Sequence, residues 1–359
     1  MKLRHFRLRP PQTLSGQLAL AAPLLGLVAG LLYWHGPNLN GIGDAFAAVK
    51  WEWVVLAIGL NLVSVVARAL AWQTVIRQAM PPPHPGSRLV FSAFSVGLFA
   101  NAVLPGRIGE LARVAVLTRK LPRRRGLWAT LVGTVFAHRV FDLVPVVLLI
   151  LYVVRTAKIP AAASASLLVF VGIGAALFTF AFASARRHPA TSIDGMGAAR
   201  RLVAMGRQGL GVMRTPLGAT LAIVFQIAGW ICQLLAVWTA MRAFDIHSSL
   251  PAAALVLLLM NVATVFPLWP GNVGLVQFAI AAPLAASYGV PYTHGVAYGF
   301  GLQAIEASVG IGVGVLFLAH EGLSLAMLRV MPSAAQAELS GADEETQADA
   351  LRERSGVSG

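Results

Sequence analysis

Cysteine and charge are both scarce in this sequence. The single cysteine, Cys232, lies inside an apolar segment, which excludes a disulfide framework and a cysteine metal site. Only 12% of the residues are charged, against about 25% in an average soluble domain. Hydrophobic residues make up 57% of the chain and the mean hydropathy is +0.73. The ten-residue alternation of a membrane barrel is also absent. These values predict a helical integral membrane protein.

Acidic residues are few, with 14 against 28 basic residues. The resulting net charge of +14 would suggest nucleic-acid binding in a soluble protein. Here the basic residues lie in short loops between apolar runs, as the positive-inside rule describes for cytoplasmic loops. We therefore expect no nucleic-acid partner, and we expect both termini to lie in the cytoplasm.

Six apolar segments are long enough to cross a bilayer, which takes about 20 helical residues. They are Gly16–Trp34, Trp51–Ile76, Gly126–Val154, Ala161–Ala183, Gly218–Met241 and Thr293–Ala319. Two further stretches, Ser87–Thr118 and Leu250–Ser287, are each interrupted by a Pro-Gly turn. Each of these two is either a pair of full spans or one re-entrant hairpin. The predicted fold is all-α and polytopic, with six full spans and two re-entrant hairpins, or eight to ten segments.

The apolar segments define a membrane domain over residues 16–320, with basic residues 1–15 before it. Residues 185–215 are predicted to form a basic cytoplasmic loop, and residues 332–359 an acidic disordered tail.

An internal repeat joins the two interrupted stretches. The pattern P-G-x-[I/V]-G begins at Pro105 and again at Pro270, at an offset of 165 residues. The charges of the flanking loops place the two hairpins on opposite faces of the membrane. Paired broken segments of this kind indicate an inverted repeat with a midplane site. The predicted halves are residues 51–154 and 216–319.

Seven ionisable residues lie within the predicted membrane segments, and each costs about 2.5–3.5 kcal/mol at the bilayer centre. They must therefore face each other or water, and they are Arg68, Arg107, Glu110, Arg113, Arg139, Asp142 and Glu306. Two groups within the set are spaced by three residues, so ion pairing within one helix face is expected. Pairing alone is equally compatible with a purely structural role.

The Pro-Gly turns suggest a site for an anion. Backbone N–H groups in the first turn of a helix have no intrahelical partner and carry positive partial charge. The helix after Pro105 and the helix after Pro270 would bring two such ends together near the midplane. Arg107, in the first turn, offers a guanidinium suited to phosphate or carboxylate oxygens.

Signals for catalysis are weak. The sequence has no G-x-S-x-G, H-E-x-x-H or Walker motif, and its histidines have no metal-ligand spacing. His138 beside Asp142 is a conceivable general base, although a buried structural histidine is the favoured explanation. We expect no enzyme activity, no catalytic residue, no metal and no cofactor.

Three stretches carry a family resemblance: "FANAVLPGRIGELARVAVLTRK", "AHRVFDLV" and "VFPLWPGNVGLVQFAI". They resemble the flippase-like membrane domain of lysylphosphatidylglycerol synthases, the multiple peptide resistance factors, over roughly residues 15–320. The resemblance implies a helical bundle with re-entrant elements that moves a phospholipid from the inner to the outer leaflet. It also places the family's motif on Asn101, Pro105, Gly106, Gly109, Glu110, Arg113, Arg139 and Asp142.

The chain departs from that family pattern at four positions, His138, Gln277, Gln303 and Glu306, which affects the expected headgroup and ion coupling. No aminoacyl-transfer domain follows residue 320, so we expect the stand-alone form, which would not make lysyl-lipid itself.

We therefore expect a lipid translocator of the bacterial cytoplasmic membrane with a central charged cavity. Its substrate would be a phospholipid, glycolipid or polyprenyl-phosphate lipid with an anionic or zwitterionic headgroup. An auxiliary subunit of envelope-lipid synthesis, and less favourably an enzyme acting on a lipid-linked substrate, remain alternatives. The partners considered are the lipid bilayer, a second copy of the chain and a protein of lipid synthesis. The predicted binding residues are Asn101, Pro105, Gly106, Arg107, Gly109, Glu110, Arg113, His138, Arg139, Asp142, Pro270, Gly271, Asn272, Gly274, Gln277, Gln303 and Glu306.

Overall fold

A computed structural model describes residues 38–103, 108–122, 127–159, 161–187, 215–264 and 272–320. Within these ranges the chain forms ten α-helices and no strands. They are α1 (Leu39–Ala47), α2 (Trp51–Ala79), α3 (Ser87–Val103), α4 (Gly109–Lys120), α5 (Leu127–Thr156), α6 (Ala161–Arg187), α7 (Pro216–Ala243), α8 (Leu250–Ala263), α9 (Leu275–Tyr288) and α10 (Tyr292–His320). The predicted first span Gly16–Trp34, both predicted terminal segments and most of the 185–215 loop lie outside the described residues.

Among the residues that the structure describes, four helices are long and apolar enough to cross a membrane: α2, α5, α7 and α10, with 28 to 30 residues each. At 1.5 Å per residue, helices of this length exceed the roughly 30 Å hydrocarbon core. Their 18-residue windows have hydropathies of 1.8 to 2.2 and at most two charged residues. The prediction of a multi-pass helical membrane protein is confirmed.

Each interrupted stretch has two short helices, one before and one after its Pro-Gly pair, and the pair itself lies outside the described residues. The first stretch gives α3 and α4, of 17 and 12 residues, and the second gives α8 and α9, of 14 residues each. All four fall short of the roughly 20 residues that a full span needs.

The order long, short, short, long occurs twice, in α2–α5 and again in α7–α10. The two first helices, α2 and α7, pack against each other over their whole length and run antiparallel. Near one end, Lys50 Nζ donates to Asp245 Oδ1 at 2.6 Å. Towards the other end, a Cβ on Gly218 would meet Gln78 Cγ at 3.1 Å. The Lys50 ammonium holds the pKa of the exposed Asp245 carboxyl below its usual value.

Two hydrophobic cores interlock through the last helix of each half. Buried residues of the second part of α2, of α3 and α4 and of the first part of α5 form one core. Val309 and Leu318 of α10 also belong to it. Buried residues at the end of α7, in α8 and α9 and in the first part of α10 form the other core. Leu149 and Val153 of α5 also belong to it. Each half therefore completes the apolar core of the other, so the two halves stabilise each other.

The second glycine of the repeated motif has a different function in each half. In the first half a Cβ on Gly109 would collide with the Gly97 carbonyl oxygen and lie 2.6 Å from Asn101 Oδ1. In the second half the equivalent Gly274 has φ +91°, a conformation that favours glycine. Close packing of α3 on α4 requires the first glycine, and backbone conformation requires the second.

Gly109→Ala should open the α3–α4 hairpin. We expect the free energy of unfolding to fall by about 3 kcal/mol, because the added methyl group meets the backbone rather than a flexible side chain. Gly59→Ala, with no neighbour within 4 Å of the new Cβ on an exposed part of α2, is the matched control. That control should be neutral or stabilising. Thermal unfolding of both variants in detergent micelles measures the difference, and equal midpoints would contradict the packing argument.

Candidate functional site

Arg139 lies at the centre of the largest polar cluster among the described residues. Its Nη1 donates to Asp142 Oδ2 at 3.1 Å, one helical turn away on α5. Its Nη2 donates to Glu110 Oε1 on α4. The Arg139 side chain is 55% exposed, whereas those of Glu110 and Asp142 are 25% and 14% exposed. The guanidinium thus joins α4 to α5. Part of it stays exposed, and we call this part the open edge of Arg139.

Arg113 shares Glu110 with Arg139 but lies in a closed environment. It forms an ion pair with Glu110, and its side chain is 4% exposed. The guanidinium carbon lies 4.6 Å from the ring centroid of Trp72 and 5.3 Å from that of Phe94. Cation–π contacts of this kind stabilise a cation away from water. Arg113 therefore positions Glu110 and does not reach the open edge.

Asp142 also receives hydrogen bonds from the second half of the chain. Gln226 Nε2 on α7 donates to its Oδ1 at 2.6 Å, and Trp230 Nε1 donates to the same oxygen at 3.2 Å. One carboxylate thus accepts from Arg139 in the first half and from two neutral donors in the second half.

Arg68 continues the cluster on the other side of Trp230. Its guanidinium carbon lies 5.1 Å from the Trp230 ring centroid, and its Nη2 donates to Gln233 Oε1. Gln233 Nε2 in turn donates to Glu306 Oε1 at 3.1 Å. Arg68 and Gln233 are 165 residues apart, which is the offset of the repeated motif, so equivalent positions of the two halves contact each other.

These side chains form one connected set, which we call the central charge network. It comprises Arg68, Glu110, Arg113, Arg139, Asp142 and Glu306, linked by Gln226, Trp230 and Gln233. The network reaches from α4 in the first half to α10 in the second half. Within it, Glu110, Arg113, Arg139 and Asp142 pair with one another, and Arg68 and Glu306 are joined through the neutral Gln233.

The helix N-termini differ from the prediction that their N–H groups are free for an anion. The Gly109 N–H donates to Asn101 Oδ1 at 2.8 Å. The Gly274 N–H donates to Gln277 Oε1 at 2.6 Å. These side-chain amide oxygens occupy two of the N–H groups that the prediction assigned to a ligand.

The remaining predicted residues are close to the second hairpin or buried in the first half. Gln277 Nε2 donates to Gln303 Oε1 at 2.8 Å, and Asn272 Nδ2 donates to the Ala263 carbonyl at 2.7 Å. His138 is buried, and its ring packs edge-on against Phe94 with centroids 6.0 Å apart. Pro105, Gly106, Arg107, Pro270 and Gly271 lie outside the described residues.

The sequence profile described as Lysylphosphatidylglycerol synthase TM region matches residues 17–314. The chain belongs to this family. No curated protein and no solved structure matches the chain.

Within this lysylphosphatidylglycerol synthase TM region, sequence reasoning located one side of the network and overlooked the other. Arg68 was placed among the ionisable membrane residues but outside the predicted site. Gln226, Trp230 and Gln233 were missed, although their spacing of four and three residues places them on one face of α7. Three polar or amphipathic side chains on one face of an otherwise apolar helix were the available signal.

The described part of this family member contains no cluster of three or more histidine, cysteine, aspartate or glutamate side chains placed to hold a metal ion. Arg139 instead offers a cationic edge, and its neighbours Glu110 and Asp142 fix its orientation. Such an arrangement can bind the oxygens of a phosphate or carboxylate group.

Glu110→Gln should destabilise the protein because the buried Arg113 loses its counter-charge. We expect a loss of about 3 kcal/mol in the free energy of unfolding. Adding Arg113→Met removes the unpaired charge and should recover part of that loss. Glu52→Gln, an exposed carboxylate at the start of α2, is the control. Denaturant titration in micelles measures all four proteins, and a double variant less stable than Glu110→Gln alone would contradict the pairing argument.

Proposed function

We propose that this protein is a lipid translocator that moves a lipid with an anionic or zwitterionic headgroup between the two leaflets. It acts by alternating access of a central hydrated cavity, and it changes no covalent bond in the lipid. The central charge network lines that cavity. The family assignment supports a membrane role connected with lipids, and the position of Arg139 supports the transport step.

The observation that carries the proposal is the exposure of Arg139. This residue lies near the middle of α5, one of the four long apolar helices. A guanidinium at that depth is costly in hydrocarbon and is normally found facing a bundle interior or a water-filled cavity. With its side chain 55% exposed, Arg139 requires water or a polar ligand beside it. A lipid headgroup is the polar ligand that a membrane supplies at high concentration.

The structure suggests separate tasks for the charged residues. Arg139 binds the headgroup phosphate, because a guanidinium fork matches two phosphate oxygens. Glu110 and Asp142 orient Arg139 through their hydrogen bonds to its two terminal nitrogens. Arg113 positions Glu110 from within the protein. The phosphate is the chemical feature shared by phospholipid, phosphoglycolipid and polyprenyl-phosphate substrates.

Two inverted halves provide the alternating motion in this proposal. The repeated helix order and the antiparallel packing of α2 on α7 both support an inverted repeat. The short lengths of α3, α4, α8 and α9 support re-entrant hairpins that meet near the midplane. Hydrogen bonds from α7 to Asp142 and from Arg68 to Gln233 connect the halves and must rearrange during the motion.

We place the protein in the bacterial cytoplasmic membrane with both termini in the cytoplasm. Basic clusters support this orientation, because residues 1–15 and the residues after α4 and α6 are rich in arginine and lysine. The positive-inside rule assigns such loops to the cytoplasm.

Arg139→Cys in a Cys232→Ala background should react with a membrane-impermeant thiol reagent, because the cavity is open to water. Leu148→Cys is a matched control on the same helix, where the native side chain is 50% exposed but apolar. Nine residues separate the two positions, so they lie on opposite faces of α5. The control should stay unreactive in lipid vesicles. If Arg139→Cys stays unreactive with reagent on both sides of the membrane, that result would contradict a water-filled cavity.

Arg139→Ala should abolish lipid movement without unfolding the protein. The assay uses purified protein in vesicles that contain fluorescent phosphatidylglycerol, with an impermeant quencher outside. Wild type should expose inner-leaflet label to the quencher, and Arg139→Ala should fall to the protein-free rate because the phosphate loses its partner. Arg139→Lys should give partial activity, since lysine keeps the charge but loses the fork.

Lys50→Ala, which removes an exposed charge outside the long helix core, serves as the control variant. Wild-type movement that survives Arg139→Ala would support a scaffold role for the network. Recovery of a chemically altered headgroup would support an enzyme, and either result would contradict the proposal.

A further inference from the structure

Glu306 differs from the other two carboxylates of the central charge network. Glu110 and Asp142 each accept a hydrogen bond from Arg139. Glu306, at the midpoint of α10, accepts one from the neutral Gln233 amide at 3.1 Å. Among the residues that the structure describes, Glu306 forms no ion pair with an arginine or lysine. Its negative charge is therefore the least compensated of the three.

The orientation of the Gln233 amide determines which of its polar atoms faces Glu306. A guanidinium only donates hydrogen bonds, so the oxygen of Gln233 must point to Arg68 and its NH₂ group must point to Glu306. The amide thus separates the guanidinium from the carboxylate while linking both. An N–H donor at this position disfavours a metal cation, which needs oxygen ligands. A proton needs only the carboxylate oxygen itself.

We propose that Glu306 is the proton-binding site that couples lipid movement to a proton gradient. This inference rests on the proposed function and adds its energy source. In the coupled step a proton from one aqueous face bonds to the Glu306 carboxylate, and the O–H bond breaks again to release the proton at the other face. The neutral acid is cheaper to hold in a low-dielectric site than the carboxylate, so the two forms can alternate.

The sign of the coupling follows from electrostatics. Protonation of Glu306 makes the central charge network one unit more positive and so raises its affinity for an anionic headgroup. By reciprocity, a bound headgroup raises the affinity of Glu306 for a proton by the same factor. The two ligands therefore move together. A pH gradient should drive the lipid toward the leaflet on the alkaline side, as in a symporter.

Other groups near Glu306 do not replace it as the proton carrier. The helices packed on α10 contribute Arg68 from α2, Gln233 from α7 and Gln277 from α9, the last through Gln303. The described ionisable contact of α3 with α10, from Arg88 to His320, lies at the far end of the helix. α1 meets α10 near Thr293. An arginine keeps its proton at physiological pH, and amides do not titrate.

The test measures the leaflet distribution of fluorescent phosphatidylglycerol in vesicles with and without a pH gradient. With one proton moved per lipid, a gradient of about one pH unit should give about a tenfold leaflet ratio at steady state. Wild type should enrich label on the alkaline side. Glu306→Gln should give the same leaflet ratio with and without the pH gradient, whatever the rate at which this variant exchanges lipid between leaflets. Glu306→Asp should restore the response, and Glu52→Gln should leave it intact.

Several outcomes would overturn the inference. Enrichment on the acid side contradicts symport, and a response to a sodium gradient instead of a pH gradient contradicts a proton site. A response that persists in Glu306→Gln assigns the proton to another group. A wild type that moves lipid but ignores the pH gradient refutes the coupling alone, whereas one that moves no lipid refutes the proposed function.

A second measurement does not depend on transport. Infrared difference spectra between acid and neutral pH should contain the carbonyl-stretch band of a protonated carboxylic acid inside the protein. That band should disappear in Glu306→Gln and persist in Glu52→Gln. If both variants retain the same band, Glu306 is not the titrating group.

Discussion

The pairing of Arg139 with Glu110 and Asp142 is the interaction on which the rest of the site depends. A lone charge within a membrane helix costs several kcal/mol, so the Arg139 guanidinium needs carboxylate partners. Asp142 is one helical turn away, but Glu110 comes from another helix. The α3–α4 hairpin must therefore pack against α5 in one register. Gly97 and Gly109 permit the close packing of α3 on α4 within this hairpin, because neither carries a Cβ where the two backbones meet.

The same requirement links the two halves of the molecule. Asp142 accepts from Gln226 and Trp230 on α7, and Arg68 on α2 reaches Gln233 on α7. Polar side chains therefore link the two halves directly, and these directional hydrogen bonds favour one arrangement of the halves.

Sequence reasoning predicted the helices, and it also predicted some of the contacts within the central charge network, for clear physical reasons. Long apolar runs specify long helices, and Pro-Gly turns break them, so the described helix bounds follow the predicted segments closely. Residues three apart on one helix predict their own pairing, as with Arg139 and Asp142. The contacts of Arg113 with Trp72 and Phe94 depend on the packing of three helices. No local spacing indicates them.

The predicted free helix N-termini illustrate the same limit. The prediction considered the backbone N–H groups alone, whereas the fold places Asn101 and Gln277 where they accept from Gly109 and Gly274. Capping by a side chain eight residues away depends on the hairpin geometry, which the sequence pattern does not specify. The contacts of α7 were missed for a related reason. Gln226 and Gln233 are neutral, so the cost of a charge in the membrane, on which the prediction relied, does not identify them.

The central claim is that a lipid headgroup occupies the open edge of Arg139 within the membrane. Electron cryomicroscopy of the protein in nanodiscs that contain phosphatidylglycerol tests it most directly. We predict headgroup density within hydrogen-bond distance of the Arg139 guanidinium, at the depth of the middle of α5. Closely packed side chains or acyl chains around Arg139, with no polar density beside it, would contradict the account.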